Sequence, residues 1–491
     1  MFSRFAKKSS TLTPAVSRLF SSANAVRQAR QTSSEIGWNN PYPEHEFFVG
    51  KTNGFLPRED PLIKLPEQFK EMETILEEMP LNPVAGGKGL LYHGTFGDAV
   101  HQRLPLYDVA NITDQRLLSA LFRDYTYLAS AYLLEPCDIN HRANNDYGLG
   151  RQTLVKNIAV PLDIIAKKIN AKPFMEYAMS YSLYNYKKID PSKPAEFDNL
   201  QLIRGFSKCV DEHGFILVHV DMVQHSGNLC ASALNALDAV KRNDRPAFNK
   251  AIQSYFDSLL IINTAMETMW KRSDPGKYIS FRTYIMGTKN QPMFPNGVVY
   301  EGCADTSPRS YRGESGANDS MVPLSDNLFE LSSSMPNNPL TSVLRDFRTY
   351  RPANHHAFLD YVENEAKNVG VLEYASKDSV SSAIMLRNLD QIRDFRHRHW
   401  TFTVEYIIKN SDHPTATGGS PIVTWLPNQL KSVLKAIEKV SLAINMEDLD
   451  LSMQDIVHNI RRRAVAQERA LERQVSTLQE DRFKNQDAYA K

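Results

Sequence analysis

The residue types in Phe395-Arg396-His397-Arg398-His399-Trp400-Thr401-Phe402 invite a chemical reading. His399 falls in an apolar stripe of Ile392, Phe395, His399, Phe402 and Tyr406, whose steps of three and four are those of one helix face. A histidine in such a stripe is more often structural, bonded to a neighbouring carbonyl, than a ligand. Arg396 lies one turn earlier on the same face. A neutral imidazole so placed could hold a haem iron, and the guanidinium could meet an anionic propionate. The spacing permits this use without establishing it. His397 stands off the stripe, and His355 is an alternative ligand in principle. A further histidine, His219, lies in the apolar run Gly214–Val220, where a polar ring needs either a hydrogen-bond partner or a pocket. Thr417-Gly418-Gly419-Ser420 has the composition of a closing lid, and equally of a plain surface turn.

Other chemistries lack their residues. Gly148-Leu149-Gly150 has no strand before it and no third glycine, so it is not a dinucleotide fingerprint. Gly313-Glu314-Ser315-Gly316-Ala317 has alanine where a nucleophile elbow needs glycine. Cys137, Cys209, Cys230 and Cys303 are widely spaced, which leaves zinc ribbons and disulfide scaffolds unsupported and suits a reducing compartment. The 491 residues carry 57 Lys and Arg against 56 Asp and Glu. Arg4, Lys7, Lys8, Arg18, Arg27 and Arg30 all precede the first acid, Glu35, so the rest of the chain is net acidic and offers no basic face to nucleic acid. Residues 1–34 are also rich in Ser, Thr and Ala, the make-up of a mitochondrial transit peptide rather than of a mere basic tail. Arg18-Leu19-Phe20 before Ser21-Ser22 places the expected cut after Phe20 and the expected destination in the matrix. No apolar run approaches the roughly 18–20 residues that span a bilayer.

The elements that position these groups read as mainly α-helical. Apolar residues recur at helical spacing from Leu106 to Leu134. Asn157-Ile158-Ala159-Val160-Pro161 opens another helix, with Pro161 expected in its first turn. Ile252, Phe256, Leu259, Asn263, Met266 and Trp270 form a further stripe. Residues 35–75 are expected as an irregular arm, and residues 288–326 as one long functional loop. From Ser452 onward the pattern is one charged surface helix, with Arg461-Arg462-Arg463 on a solvated face and room for self-association. The turn-rich stretch after Asp190-Pro191 reads as an interdomain connection. The expected organisation is the leader 1–34, a small mostly helical domain 35–199, a large helical domain 200–430 and a C-terminal helical extension 431–491.

Several segments taken in order resemble the indoleamine 2,3-dioxygenase family. Arg396, His399-Trp400, Phe402 and Tyr406-Ile407 resemble its proximal helix. Phe281-Arg282-Thr283-Tyr284 through Gly297-Val298-Val299-Tyr300-Glu301-Gly302 resembles its substrate-arginine segment. Gly313-Glu314-Ser315-Gly316-Ala317-Asn318-Asp319-Ser320 resembles its distal loop, with Asp326 at the family's spacing. Tyr350-Arg351-Pro352 with His355 and Phe358, Thr417-Gly418-Gly419-Ser420, and Asn157–Pro161 match as well.

The resemblance implies a large helical haem domain and haem b, with iron held by His399. It implies that Arg396 binds a propionate and pairs with Asp326, and that Arg282 takes the substrate carboxylate. Ser315 and Gly316 would line the distal oxygen and substrate pocket, and Thr417 and Gly418 would close over the amino-acid end. His219 falls where mammalian members carry serine, and resembles the distal histidine that contacts the indole N–H in the related tryptophan 2,3-dioxygenases. The implied reaction is cleavage of the indole C2–C3 bond of L-tryptophan by O2 to N-formylkynurenine, in tryptophan catabolism, with an electron donor keeping the haem ferrous. Two departures bear on the indole wall. Of the family's paired aromatics only Tyr278 corresponds, and Met286-Gly287-Thr288 replaces the usual Ser-Gly-Trp. They motivate the alternatives of another indole compound as substrate, or of a haem-binding sensor.

Overall fold

The structure, a computed structural model, describes residues 37–83, 86–331, 345–411, 413, 415–419 and 422–489. The expected leader and Ser420 lie outside them. The fold is mainly α. Helix α1 (Gln115–Asn144) starts where the Asp114 carboxylate accepts the Leu117 backbone N–H at 2.9 Å, and stops at Asn145 in the left-handed region at φ 57°. It is buried on every side from Leu118 to Glu135, so it forms the centre of the N-terminal half. The expected start near Leu106 overshoots, because residues 104–114 are irregular up to the Asp114 cap. Helix α2 (Lys156–Lys168) packs on α1 and already begins at Lys156, which puts Pro161 inside it rather than in its first turn.

Strands are short. β1 (Thr153–Leu154), β2 (Tyr186–Lys188), β3 (Leu200–Leu202) and β4 (Val299–Tyr300) make two two-stranded sheets, with β1 parallel to β4 and β2 antiparallel to β3. The segment expected to join two domains is thus the connection between paired strands β2 and β3. The expected irregular arm turns helical at Glu67 and continues as Lys70–Glu78.

The C-terminal half is built from α3 (Val210–Val223), α4 (Ser226–Lys241), α5 (Arg245–Glu267), α6 (Met321–Leu328), α7 (Ala353–Val369), α8 (Ser379–Phe402), α9 (Ile422–Leu442) and α10 (Leu451–Tyr489). α5 packs against α3, α4 and α8, while α9 packs between α8 and α10. The boundary expected after residue 430 falls inside α9. The expected loop 288–326 contains β4 and ends in α6, where Pro323 is the third residue and its missing N–H is not needed. No described helix is long and apolar enough to cross a membrane.

α10 is more than a solvated surface helix. Val457, Ile460, Ala464 and Leu471 are buried against its neighbours α8 and α9. Arg463 donates to Asp390 at 2.6 Å, Gln467 accepts from Arg393 at 2.7 Å, and Gln474 accepts the Trp400 indole N–H at 3.1 Å. Arg461 donates to the Ser441 carbonyl, so the arginine run is partly tied down. Burial of each large apolar side chain contributes about 1.5–3 kcal/mol. A chain ending at Asp450 is therefore expected to lose roughly 5 kcal/mol or more of unfolding free energy in denaturant titrations. An unchanged midpoint would show the helix to be dispensable.

Asp124 of α1 is wholly buried with Arg123 and Arg204, at 2.8 Å from Arg123 Nε and at 3.0 and 2.8 Å from Arg204 Nε and Nη2. Burial alone would raise its pKa, but the two guanidiniums outweigh burial and hold it at about 2. A depressed folded-state pKa stabilises the fold above the ordinary carboxylate range, and that stabilisation is lost as pH falls toward 2. Asp124→Ala is expected to cost about 3–5 kcal/mol at neutral pH, because two cations lose their partner in the interior. Between about pH 4.5 and 2.5 the variant should lose less stability than the wild type. Parallel acid losses would exclude this triad as the origin.

Candidate active site

A cavity with about 1030 Å³ of free volume, counted out to its mouth, opens between α3, the end of α5, α8, α9 and two loops. That is the upper size class of cofactor and ligand pockets. α8 supplies Phe395, His399 and Phe402 at helical steps, and a π-helical stretch, Thr403–Ile408, continues the same wall with Thr403, Tyr406 and Ile407. Such π turns interrupt helices chiefly at functional places. The Thr403 hydroxyl donates to the His399 carbonyl at 3.0 Å. Trp400 faces the other way, into the core. Neither ring nitrogen of His399 hydrogen-bonds a described residue, and the accessible part of the ring opens on the cavity. Burial first, then the neighbouring His219 and Arg396 charges, lower its pKa to about 4. The imidazole is neutral at physiological pH, the form that binds a metal.

His219 projects from α3 into the same cavity. Its Nδ1 hydrogen-bonds the Phe215 carbonyl one turn earlier, at 2.9 Å. A carbonyl only accepts, so Nδ1 carries the proton and Nε2 is left as an acceptor. Nε2 faces Gly316, where an added Cβ would stand 3.7 Å away. Burial lowers its pKa to about 4 as well. The rings of Phe215 and Tyr177 meet the imidazole edge-on at 5.5 and 5.6 Å. Tyr278 completes this aromatic side, tilted on Phe215 at 4.9 Å. The loop 313–319 adds Glu314, Ser315, Gly316 and Asp319, with burial pushing the Glu314 carboxyl up to about 8 and that of Asp319 to about 6.

Of the residues singled out from sequence, His219, Tyr278, Ser315, Gly316, His399 and Thr417 line the cavity. Arg282 does not. It is fully buried, donating Nη2 to the Thr415 carbonyl at 2.9 Å and Nη1 to the Ser411 hydroxyl at 3.4 Å. The loop it holds is closely tacked down. Gln291 donates to the Ala416 carbonyl at 2.8 Å, the Gly287 N–H to that of Thr417 at 2.9 Å, and Arg312 to that of Gly418 at 2.8 Å. A side chain at Gly418 would strike the Phe347 ring at 2.5 Å, and Gly419 has φ +77°, so this glycine pair is required by the closed turn. Arg396 also lies off the wall. Its Nη2 bridges both Asp326 oxygens at 2.8 and 2.7 Å, and its Nη1 donates to the Gln429 carbonyl at 2.9 Å. His355 is a core histidine away from the cavity, 3.3 Å from the Ser320 hydroxyl and between Phe47 and Phe55.

The sequence profile of indoleamine 2,3-dioxygenase matches residues 43–442. The chain belongs to the indoleamine 2,3-dioxygenase family. It is 24% identical over 421 residues to indoleamine 2,3-dioxygenase 1 of Rattus norvegicus, covering 80% of this chain and 95% of that protein. It is 26% identical over 402 residues to the same enzyme of Mus musculus, covering 78% and 92%. It is also 21% identical over 324 residues to the 6-hydroxytryptophan 2,3-dioxygenase of Fusarium equiseti, covering 65% and 74%. The family's members are haem-iron dioxygenases acting on indoles, so this chain is an oxidoreductase of that kind.

The cavity fits the family's cofactor. Among the described residues no group of three or more His, Cys, Asp or Glu side chains could hold a bare metal ion. One neutral histidine such as His399, with its ring nitrogens not bonded to described residues, would suit an iron whose other ligands a macrocycle supplies. Sequence reasoning gave no role to Glu314, Asp319, Phe215 or Trp425, all on the wall. An acid inside the glycine-rich stretch 313–316 was the signal available for Glu314.

Asp326→Ala would leave the Arg396 guanidinium buried without its carboxylate. The expected result is a loss of about 3–5 kcal/mol of stability together with a lower haem-to-protein ratio after reconstitution. Unchanged stability and haem content would show that this pair supports nothing at the site.

Proposed function

We propose that the chain cleaves the C2–C3 bond of L-tryptophan with O2 to give N-formylkynurenine. Both oxygen atoms enter the product as two new carbonyls while the ring bond breaks, so turnover itself consumes no outside electrons. An electron donor serves to keep the iron ferrous. The observation that carries the reading is the pair of neutral imidazoles, His399 and His219, on one aromatic cavity. His399 would ligate haem b, with the Arg396–Asp326 pair next to a propionate. The bound haem supplies the oxygen activation that no side chain can provide.

The rest falls to the chain's own groups. His219 Nε2, an acceptor, takes the indole N–H and orients the ring. Phe215 and Tyr278 stack on it and exclude water. Ser315 and the Gly316 backbone border the distal space. Arg282 takes the substrate carboxylate by exchanging the Thr415 carbonyl for it, since one planar fork serves either acceptor. Thr417 and Gly418, held in the closed turn, border the amino-acid end. Fixing both ends of the substrate holds C2 and C3 where oxygen is delivered, an effect of proximity.

A second reading, the same chemistry on another indole, is favoured by the acids in loop 313–319, whereas Met286, Gly287 and Thr288, expected on the indole wall, do not line the cavity. The leader composition supports delivery to the mitochondrial matrix with cleavage after Phe20, and residues 35–199 and 200–430 would act as small and large domains. Self-association through α10 would have to use exposed residues such as Leu451 and Val465, because its buried apolar side is occupied by α8 and α9.

The test is the haem spectrum and formylkynurenine formation by the full-length protein. His399→Ala is expected to abolish the Soret band, and unchanged haem in that variant overturns the ligand assignment. Arg282→Ala should keep haem and raise the KM for tryptophan roughly tenfold or more, as loss of a charge-assisted fork predicts. Loss of haem in Arg282→Ala instead would contradict its role.

A further inference from the structure

Arg282 is bonded to the segment 415–417, whose Ala416 and Thr417 line the cavity. Its guanidinium is fully buried and only partly used. Nη1 donates to the Ser411 hydroxyl at 3.4 Å and Nη2 to the Thr415 carbonyl at 2.9 Å, while Nε has no hydrogen-bond partner among the described residues. Nε and Nη2 form a side of the fork that can take a carboxylate in two parallel bonds. Arg204 uses that same side on Asp124, at 3.0 and 2.8 Å. In Arg282 the Thr415 carbonyl, a single neutral oxygen, occupies half of it. A buried N–H left without an acceptor is costly, so this grip is poorer than the one a carboxylate would give.

Gln291, itself buried, holds the segment in that position. Its amide nitrogen donates to the Ala416 carbonyl at 2.8 Å and, more weakly, to that of Thr417 at 3.4 Å. With the nitrogen committed to carbonyls, the Gln291 Oε1 accepts from His413 Nε2 at 3.0 Å, so this ring carries its proton on Nε2. His413 is fixed in turn. Its ring meets Tyr147 edge-on at 5.2 Å, and Tyr147 stacks on His141 of α1 at 4.4 Å. Its backbone N–H donates to the same Ser411 hydroxyl that Arg282 reaches. Burial, then the Arg282 charge, lower its pKa to about 4, which keeps a second cation away from the guanidinium. We propose that Gln291 and His413 are positioning residues that hold the Thr415 carbonyl on Arg282 as an internal competitor for the substrate carboxylate. That role depends on Arg282 being the carboxylate anchor proposed above. A ligand with a carboxylate has to displace the carbonyl, and the Gln291 bonds resist the displacement. Its apparent affinity is reduced by the small fraction of molecules in which the carbonyl has moved off. A ligand without a carboxylate never meets this barrier.

The experiment uses the full-length haem-loaded protein with L-tryptophan and with tryptamine, which keeps the indole and the amine but lacks the carboxylate. Association rates and dissociation constants are read from the ligand-induced Soret shift. Release of the segment is read from amide exchange at Gly287 and Gly419, whose N–H groups donate to the Thr417 and Ala416 carbonyls. Gln291→Met removes the amide at nearly constant volume. It is expected to bind tryptophan roughly tenfold faster and tighter, as loss of the retaining hydrogen bonds predicts, with tryptamine unchanged and exchange at both glycines accelerated. His413→Phe keeps a ring on Tyr147 and removes only the donor, so a change of about threefold in the same direction is expected. This second variant decides if Gln291→Met does not fold. Slower or weaker tryptophan binding in the variants overturns the proposal, because the segment would then be a contact to keep rather than one to displace. So does an equal change for both ligands. Arg282→Ala separates this role from the one it depends on. Wild-type tryptophan binding in Arg282→Ala would remove the anchor itself. Weakened tryptophan binding there, with the Gln291 and His413 variants behaving as wild type, would leave the anchor and remove only the competitor.

Discussion

The helix that carries His399 also carries Arg393, Arg396 and Arg398. Cations so near an imidazole disfavour a second proton on it, and after burial Arg396 is among the charges that keep His399 a neutral donor. Each is held by its own acceptors. Arg393 reaches Asp390 at 2.7 Å and Gln467 of α10, Arg396 reaches Asp326 of α6, and Arg398 reaches Glu267 and Asn263 of α5 together with Asp394 at 3.0 Å. Three elements, α5, α6 and α10, are thereby tied to α8 by charge-assisted bonds. The contacts that hold these cations near the ring also assemble the helices around it, so fold and site depend on one distribution of charge.

The separation of the two imidazoles is fixed through α5. α3, with His219, and α8, with His399, both pack against it. Buried amides set the register of α8 on that support. Asn388 donates to the Ile252 carbonyl at 2.9 Å, and Asn263 donates to the Gln391 carbonyl at 3.0 Å. A helix sliding by one residue would break these bonds and strand polar groups in the core, a cost that purely apolar ridges would not impose. Precision at the cavity thus comes from polar groups remote from it.

The positions of the cavity histidines were legible in the sequence because helical periodicity decides them. His399 and its aromatic neighbours follow the stripe, and His219 is conspicuous within an apolar run. The directions of the arginines were not legible. A long side chain goes where an acceptor waits, and the acceptors of Arg282 and Arg463 lie 133 and 73 residues away in the chain. The docking of α10 was missed for a related reason. Its buried positions are few and spread over a highly charged helix, so composition reads as solvated until α8 and α9 are in place. The segment 288–326 read as one loop because its glycines and prolines hide the helix around Asp326, where Pro323 is an allowed early residue rather than a breaker.

The Arg282 guanidinium and the Glu314 carboxyl are both buried and form no ion pair with a described residue. Tyr278 feels both, its pKa raised first by burial, then lowered by Arg282 and raised by Glu314. Had the chain brought the two together, they would have formed an interior ion pair of the kind Asp124 and Arg204 make, and the fold would have gained from it. Holding them apart, each in its own desolvated surroundings, costs stability that the folded chain alone does not recover. A bound molecule with an anionic group at one end and a hydrogen-bonding group at the other would recover it. Ligand binding should therefore stabilise this protein by more than its apolar contacts alone would supply, because it satisfies polar groups that folding left in the interior.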